Sequence, residues 1–248
     1  MNNRIFASIA LAISFNTTTH AALVARGTDM VYDDVNNITW ASDANLFQTQ
    51  AASNPNLVSQ IIAANGGVIH DTPNAYDTVP ISGIYTLSSA DFNTSTGTMT
   101  WWGAQAWAND LTLDGVTGWT LPTTADTANP NNFGYNITTS QLGDLFYNQL
   151  GGVAGSSIST THNTNYNLFS SVESYAYWAS SEYALGPAYA LNLNISYGYQ
   201  GGDVKVNLLN AWAVHAGDVA AVPLPGAVWL FLSGLIGLMG LKRRSSIR

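Results

Sequence analysis

Apolar residues recur along this chain with two different periods. From Trp101 to Leu111, Trp101, Ala104 and Ala108 stand at i, i+3 and i+7. Ala104, Trp107, Ala108 and Leu111 repeat the spacing one turn on, which predicts a short helix. The Thr100 hydroxyl is placed to cap its first amides, and Asp114-Gly115 with Thr117-Gly118 mark the exit. In Gly118-Trp119-Thr120-Leu121-Pro122-Thr123 the period changes to two. Extended backbone would put Trp119 and Leu121 on one face, and Pro122 would end the pairing. The same alternation sets Tyr189, Leu191, Leu193 and Ile195 against Ala190, Asn192 and Asn194, predicting an antiparallel strand with one buried face.

Other stretches follow the same logic. Met30 to Asp34 and Ile38 to Trp40, separated by Asn36-Asn37, predict a hairpin. Asn54, Pro55, Leu57, Ile61, Ile62 and Gly66-Gly67 predict a helix over Pro55 to Asn65. Ser140 with Leu142, Leu145, Phe146 and Leu150 predicts another over Gln141 to Leu150. The rest of 48–97 reads as an elaborated insertion, and Ala125 to Ser140 and Gly155 to Asn167 as loops. The last third reads as β-rich: Tyr175 to Tyr183, the strand from Tyr189, turns at Tyr197-Gly198 and Gly201-Gly202, then strands at Val204 to Leu208 and Ala211 to Val214.

The two ends follow neither period. Arg4, the apolar run Ile5 to Phe15 and the small-residue end at Thr19-His20-Ala21-Ala22 predict a secretory leader, cut by signal peptidase after Ala21 or Ala22. An uncleaved anchor is the alternative, although the run is short for a span. At the other end Val222-Pro223-Leu224-Pro225 precedes the uncharged run Gly226 to Leu241 and the cluster Lys242-Arg243-Arg244. Those cations predict a transmembrane helix with its tail cytoplasmic and the body outside. The chain thus divides into a leader at 1–22, a body at 23–220 and a tail at 221–248.

Charge narrows the partners. Of 7 Lys and Arg, five lie in leader and tail, leaving Arg26 and Lys205 against all 15 acidic residues, a net of about −13 across the body. Such a body repels phosphate backbones, so nucleic acid is excluded as a partner. With no cysteine, thiol catalysis, cysteine-ligated zinc and disulfide stapling are excluded too. Candidate chemistry is sparse. Asp33, Asp34 and Asp43 lack the spacing of a calcium loop and read as turn-capping groups; His70 with Asp71 reads as a surface loop pair, and His162 has no carboxylate near it in sequence. Ser180, Ser181, Glu182 and His215 include the residue types of a hydrolase triad, but no G-x-S-x-G elbow frames them. No catalytic residue, metal ligand or cofactor is assigned.

Two resemblances add to this reading. The motif Val222, Pro223, Leu224, Pro225, followed by an apolar helix and a basic cluster, resembles the PEP-CTERM sorting signal of Gram-negative bacteria in its Val-Pro-Leu-Pro variant. The resemblance implies export, transient anchoring in the inner membrane, processing by an exosortase-type protease and an association with exopolysaccharide and biofilm. The body resembles the Lcl C-terminal-domain-like family through Ile38-Thr39-Trp40, Asp43-Ala44-Asn45, Thr100-Trp101, Gly118-Trp119-Thr120-Leu121-Pro122-Thr123, Tyr177-Trp178-Ala179-Ser180-Ser181 and Ala213-Val214-His215. It implies a C-type-lectin-like α+β fold with two main helices and twisted antiparallel sheets, in which Trp40, Trp101, Trp119, Leu121, Pro122 and Trp178 form the core signature. Family members often carry Arg where this chain has Thr120 and His215. The expectation is a non-enzymatic cell-surface or matrix protein with a glycan-binding or structural domain. A hydrolase on the same fold and a calcium-dependent lectin are the alternatives. An exposed aromatic patch would favour binding, and a buried Glu182 close to His215 would favour chemistry.

Overall fold

The computed structural model describes residues 23–124 and 133–219. The leader, the sorting motif Val222 to Pro225, the apolar run and the basic cluster Lys242 to Arg244 lie outside the described residues, as does 125–132 of the polar loop. Among the described residues no helix is long and apolar enough to cross a membrane.

The body is a mixed α+β domain whose named strands all pair antiparallel. A four-stranded sheet has the order β1 (Leu23–Arg26), β2 (Met30–Asp33), β3 (Ile38–Ala41) and β11 (Val214–Ala216), so the end of the domain pairs with its beginning. The β2–β3 hairpin forms as expected, with Asp33 opposite Ile38. Its turn is held by the Asp33 carboxylate, which accepts from the amides of Val35 and Asn36 at 3.0 and 3.1 Å. Asn37 closes it at φ 49°, a left-handed conformation that Asn tolerates. A three-stranded sheet has the order β10 (Tyr199–Val204), β9 (Tyr189–Asn194) and β8 (Ala176–Glu182). Two short hairpins, β4 (Val68–His70) with β5 (Ile84–Thr86) and β6 (Phe92–Asn93) with β7 (Thr98–Met99), complete the strands.

Five α-helices are described, where periodicity predicts three and the family resemblance two main ones. The central one, α3 (Trp101–Asp110), begins where the sequence places it, with the Thr100 hydroxyl accepting from the Gly103 amide at 3.1 Å. Likewise Ser140 caps α4 (Gln141–Asp144), which runs on as a π-helical turn over Leu145–Gln149 and buries Leu142, Leu145, Phe146 and Leu150. The helix expected over Pro55 to Asn65 is α2 (Leu57–Ala64), stopped by Gly66 and Gly67 at φ 63° and 77°. The first helix, α1 (Leu46–Ser53), and the short α5 (Ile158–Thr161) fall in stretches read as loosened chain or loop. In α1 only Leu46 and Phe47 are buried, too few to leave a periodic stripe.

The seven tryptophans of the body are all core residues, none more than 3% exposed. Each indole N–H has an acceptor: Trp101 donates to Ala179 O, Trp119 to Val116 O, Trp178 to Met99 O and Trp212 to Ala41 O, at 2.7 to 3.0 Å. Trp102 and Trp107 donate to Asp71 and Gln50 at 2.8 and 2.9 Å, and Trp40 makes a longer contact of 3.5 Å with Asp33. Leu121 and Pro122 are buried with them, and the 118–123 stretch runs beside β11 through the single bridge Thr120 to Val214.

Candidate functional site

The triad residue types do not meet. Ser180 Oγ donates to Pro122 O, Ser181 Oγ contacts Thr124, and Glu182 pairs with Lys205 and accepts the Thr72 amide. His215 lies edge-on to Trp119, its ring centroid 5.7 Å away, and its Nδ1 has no hydrogen-bond partner. A nucleophile and a base within hydrogen-bond reach, the minimum for this chemistry, are not among these contacts.

A second cluster is buried and charged. Lys205, just past β10, is wholly enclosed; its Nζ lies 2.6 Å from Asp71 Oδ2, 3.3 Å from Glu182 Oε1 and 4.4 Å from the Trp101 ring. Asp71 also accepts from Trp102 Nε1 and Asn74 Nδ2. The reading of His70-Asp71 as a surface pair is therefore corrected: His70 is exposed, whereas the Asp71 side chain is fully buried against Lys205. Local polarity alone marks the stretch as surface, and a partner 134 residues away leaves no local signal. With Lys205 sealed in, the cluster pins the 68–86 hairpin to α3 and offers no open surface.

The open site lies on the three-stranded sheet. Phe133, Tyr183, Leu185, Gly186, Tyr189, Tyr199, Gly201 and Gly202 line a cleft of about 440 Å³, inside the about 300–1,000 Å³ typical of ligand pockets. Phe133 and Tyr183 form one wall, their centroids 5.1 Å apart; Tyr189 is 44% and Leu185 68% exposed. Tyr199 belongs to a further aromatic group, 5.2 Å from Tyr135 and 6.3 Å from Tyr197. Behind the sheet, burial pushes the Tyr177 phenol well above its ordinary value, and that hydroxyl is spent on the Glu173 amide. Among the described residues no group of three His, Cys, Asp or Glu is placed to hold a metal ion.

Two sequence readings are corrected here. Tyr189, expected on the buried face of β9, is one of the more exposed aromatics, while Asn192, expected outside, is buried. Gly201 and Gly202, read as a turn, lie inside β10 opposite Asn192 and Leu191; the strands expected at Val204 to Leu208 and Ala211 to Val214 shift accordingly, to Tyr199–Val204 and Val214–Ala216. A signal was present nonetheless: six of the chain's 12 tyrosines lie between Tyr175 and Tyr199, more than one strand face can bury.

No family model, curated protein or solved structure matches the chain. Its function is therefore argued from its own geometry.

Proposed function

We propose that this is an exported cell-surface or extracellular-matrix protein, sorted by its tail through an exosortase-type protease, whose C-type-lectin-like domain binds extracellular polysaccharide in the aromatic cleft. The observation that carries the binding half is the cleft itself. Solvent-facing tyrosines are unusual in a domain that buries every tryptophan of its body, and a ring that is apolar on its face and polar at its tip suits a sugar, whose C–H face stacks while its hydroxyls stay wet. No hydrogen bond joins Ser180, Ser181 or Glu182 to His215, so hydrolysis has no nucleophile–base pair here and binding is favoured. The sorting half rests on the order of leader, body, Val-Pro-Leu-Pro motif, apolar run and basic cluster.

The test is retention on polysaccharide isolated from the matrix of the producing cells. Tyr189→Ala removes an exposed ring without opening the core, and should weaken binding about tenfold, or ~1.4 kcal/mol. Equal retention of both proteins would take the cleft out of the account.

A further inference from the structure

Gly201 and Gly202 are the starting point. Glycine weakens a strand interior, and adjacent glycines there need a reason, either a backbone conformation or a close approach. Conformation is not the reason, since neither belongs to the positive-φ glycines. At Gly201 a Cβ would crowd the Tyr199 ring at 3.2 Å, but packing within the domain does not demand Gly202: a Cβ built there would meet Phe133 at 3.4 Å and Ala190 O at 3.6 Å, ordinary contacts. What the pair leaves is a bare floor between two hollows. One is the aromatic cleft; the other, about 200 Å³, shares Tyr199, Gly201 and Gly202 with it and opens onto Asn192, Asn194 and Asp203.

The second hollow is lined with unused hydrogen-bonding capacity. Asn192 is only 7% exposed, yet its carboxamide has no hydrogen bond among the described residues. It stands directly opposite Gly201 in the sheet register, as Asn194 stands opposite Tyr199. Asn194 Oδ1 accepts from Ser196, leaving its amide N–H groups open, and Asp203 Oδ1 accepts from Val204 and Asn207, leaving Oδ2 open. What remains exposed of Asn192 opens into the hollow, where its amide can donate to and accept from a ligand in place of water. Donors and acceptors alternating beside an aromatic ring match neighbouring hydroxyls on a sugar.

Charge decides among sugars. The described residues hold two cations, and both are committed: Arg26 to Asp218 through two hydrogen bonds of 2.6 and 2.7 Å, and Lys205 inside the core. A uronate or sulfate would meet Asp203 and no free cation.

We infer that the binding site spans both hollows and takes an uncharged polysaccharide chain laid across the Gly201–Gly202 floor, its aromatic subsite stacking one sugar and its Asn192 side hydrogen-bonding the next. This rests on the reading of the aromatic cleft as a glycan site. The test titrates the intact chain in detergent with uncharged polysaccharides (dextran, laminarin, galactomannan), with alginate and heparan sulfate as anionic probes. For the uncharged polymer that binds, a series of its oligomers follows. Affinity should rise at least tenfold between one sugar and three, and the anionic polymers should bind more weakly. Asn192→Ala should remove that gain while Tm stays level, because it removes no hydrogen bond; Gly202→Ala, whose Cβ would stand 3.4 Å from Phe133, should weaken binding at every oligomer length. Should Tyr189→Ala abolish binding while Asn192→Ala binds the longer oligomers like the wild type, the aromatic cleft stands and the second hollow is overturned. Stronger binding of alginate or heparan sulfate would overturn the uncharged ligand. Absence of binding to every probe, or indifference to Tyr189→Ala, would overturn the cleft and this inference with it.

Discussion

Lys205→Ala is the perturbation whose cost the structure specifies most closely. The ammonium is fully buried, 2.6 Å from Asp71 Oδ2, 3.3 Å from Glu182 Oε1 and over the rings of Trp101 and Trp102 at 4.4 and 5.6 Å. Removing it leaves the Asp71 carboxylate enclosed with only the neutral donors Trp102 Nε1 and Asn74 Nδ2, and its Oδ1 already lacks a partner. An uncompensated buried charge of this kind costs about 3–5 kcal/mol, into which the lost cation–π contact is folded. For a domain of this size that lowers Tm by roughly 6–20 °C. Lys205→Met combined with Asp71→Asn removes both charges at nearly constant volume and keeps an oxygen for the Trp102 donor. Glu182, partly exposed, retains the Thr72 amide. The double variant should therefore recover more than half of the loss. Urea unfolding followed by tryptophan fluorescence reads both variants. A single variant within about 1 kcal/mol of the wild type, or a double variant no better than the single, would refute the reasoning.

Three further outcomes follow. Trp119→Ala, at a residue 1% exposed whose indole N–H bonds Val116 O, should cost about 3–5 kcal/mol in denaturant titration; an unchanged midpoint contradicts its place in the core. At Asp77 burial pushes the carboxyl up, but the amides of Gly83, Asn74 and Ser82 and the charge of Lys205 outweigh it and hold the group below its ordinary value. Its contribution is thus present above the unfolded-state pKa and lost as pH falls through the lower folded value. Asp77→Asn should destabilise the domain at neutral pH, with the gap closing in acid; a gap that widens in acid has the wrong sign. In the tail, Pro223→Ala with Pro225→Ala should leave membrane insertion intact and block processing in a host with an exosortase, seen as accumulated precursor on immunoblots. Equal processing of both forms would make the tail an ordinary anchor.

What the sequence disclosed was what is encoded locally. Thr100 and Ser140 announce their helices because a cap and a stripe lie within a few residues of each other, and Asn36-Asn37 announces its hairpin for the same reason. The misreadings come from long-range terms. Gly201-Gly202 carries the composition of a turn, and only its pairing with Asn192 and Leu191 makes it a strand. Asp71 looks like surface until Lys205 arrives from the far end of the chain. The cleft was half legible, in the density of tyrosines between Tyr175 and Tyr199. Which of them face outward depends on the pairing of β9 with β10 and on Phe133, and neither follows from a period of two.

The most direct test of glycan binding at the sheet is an NMR titration of the ¹⁵N-labelled chain with uncharged oligosaccharides. The account predicts that the amides of Gly201 and Gly202 shift together with those of Tyr189 and Tyr199, and that the core amides around Trp40 and Trp119 do not move. Saturable shifts confined to another surface, such as the exposed Val79-Pro80-Ile81 loop, with the β10 glycines unmoved, would contradict it.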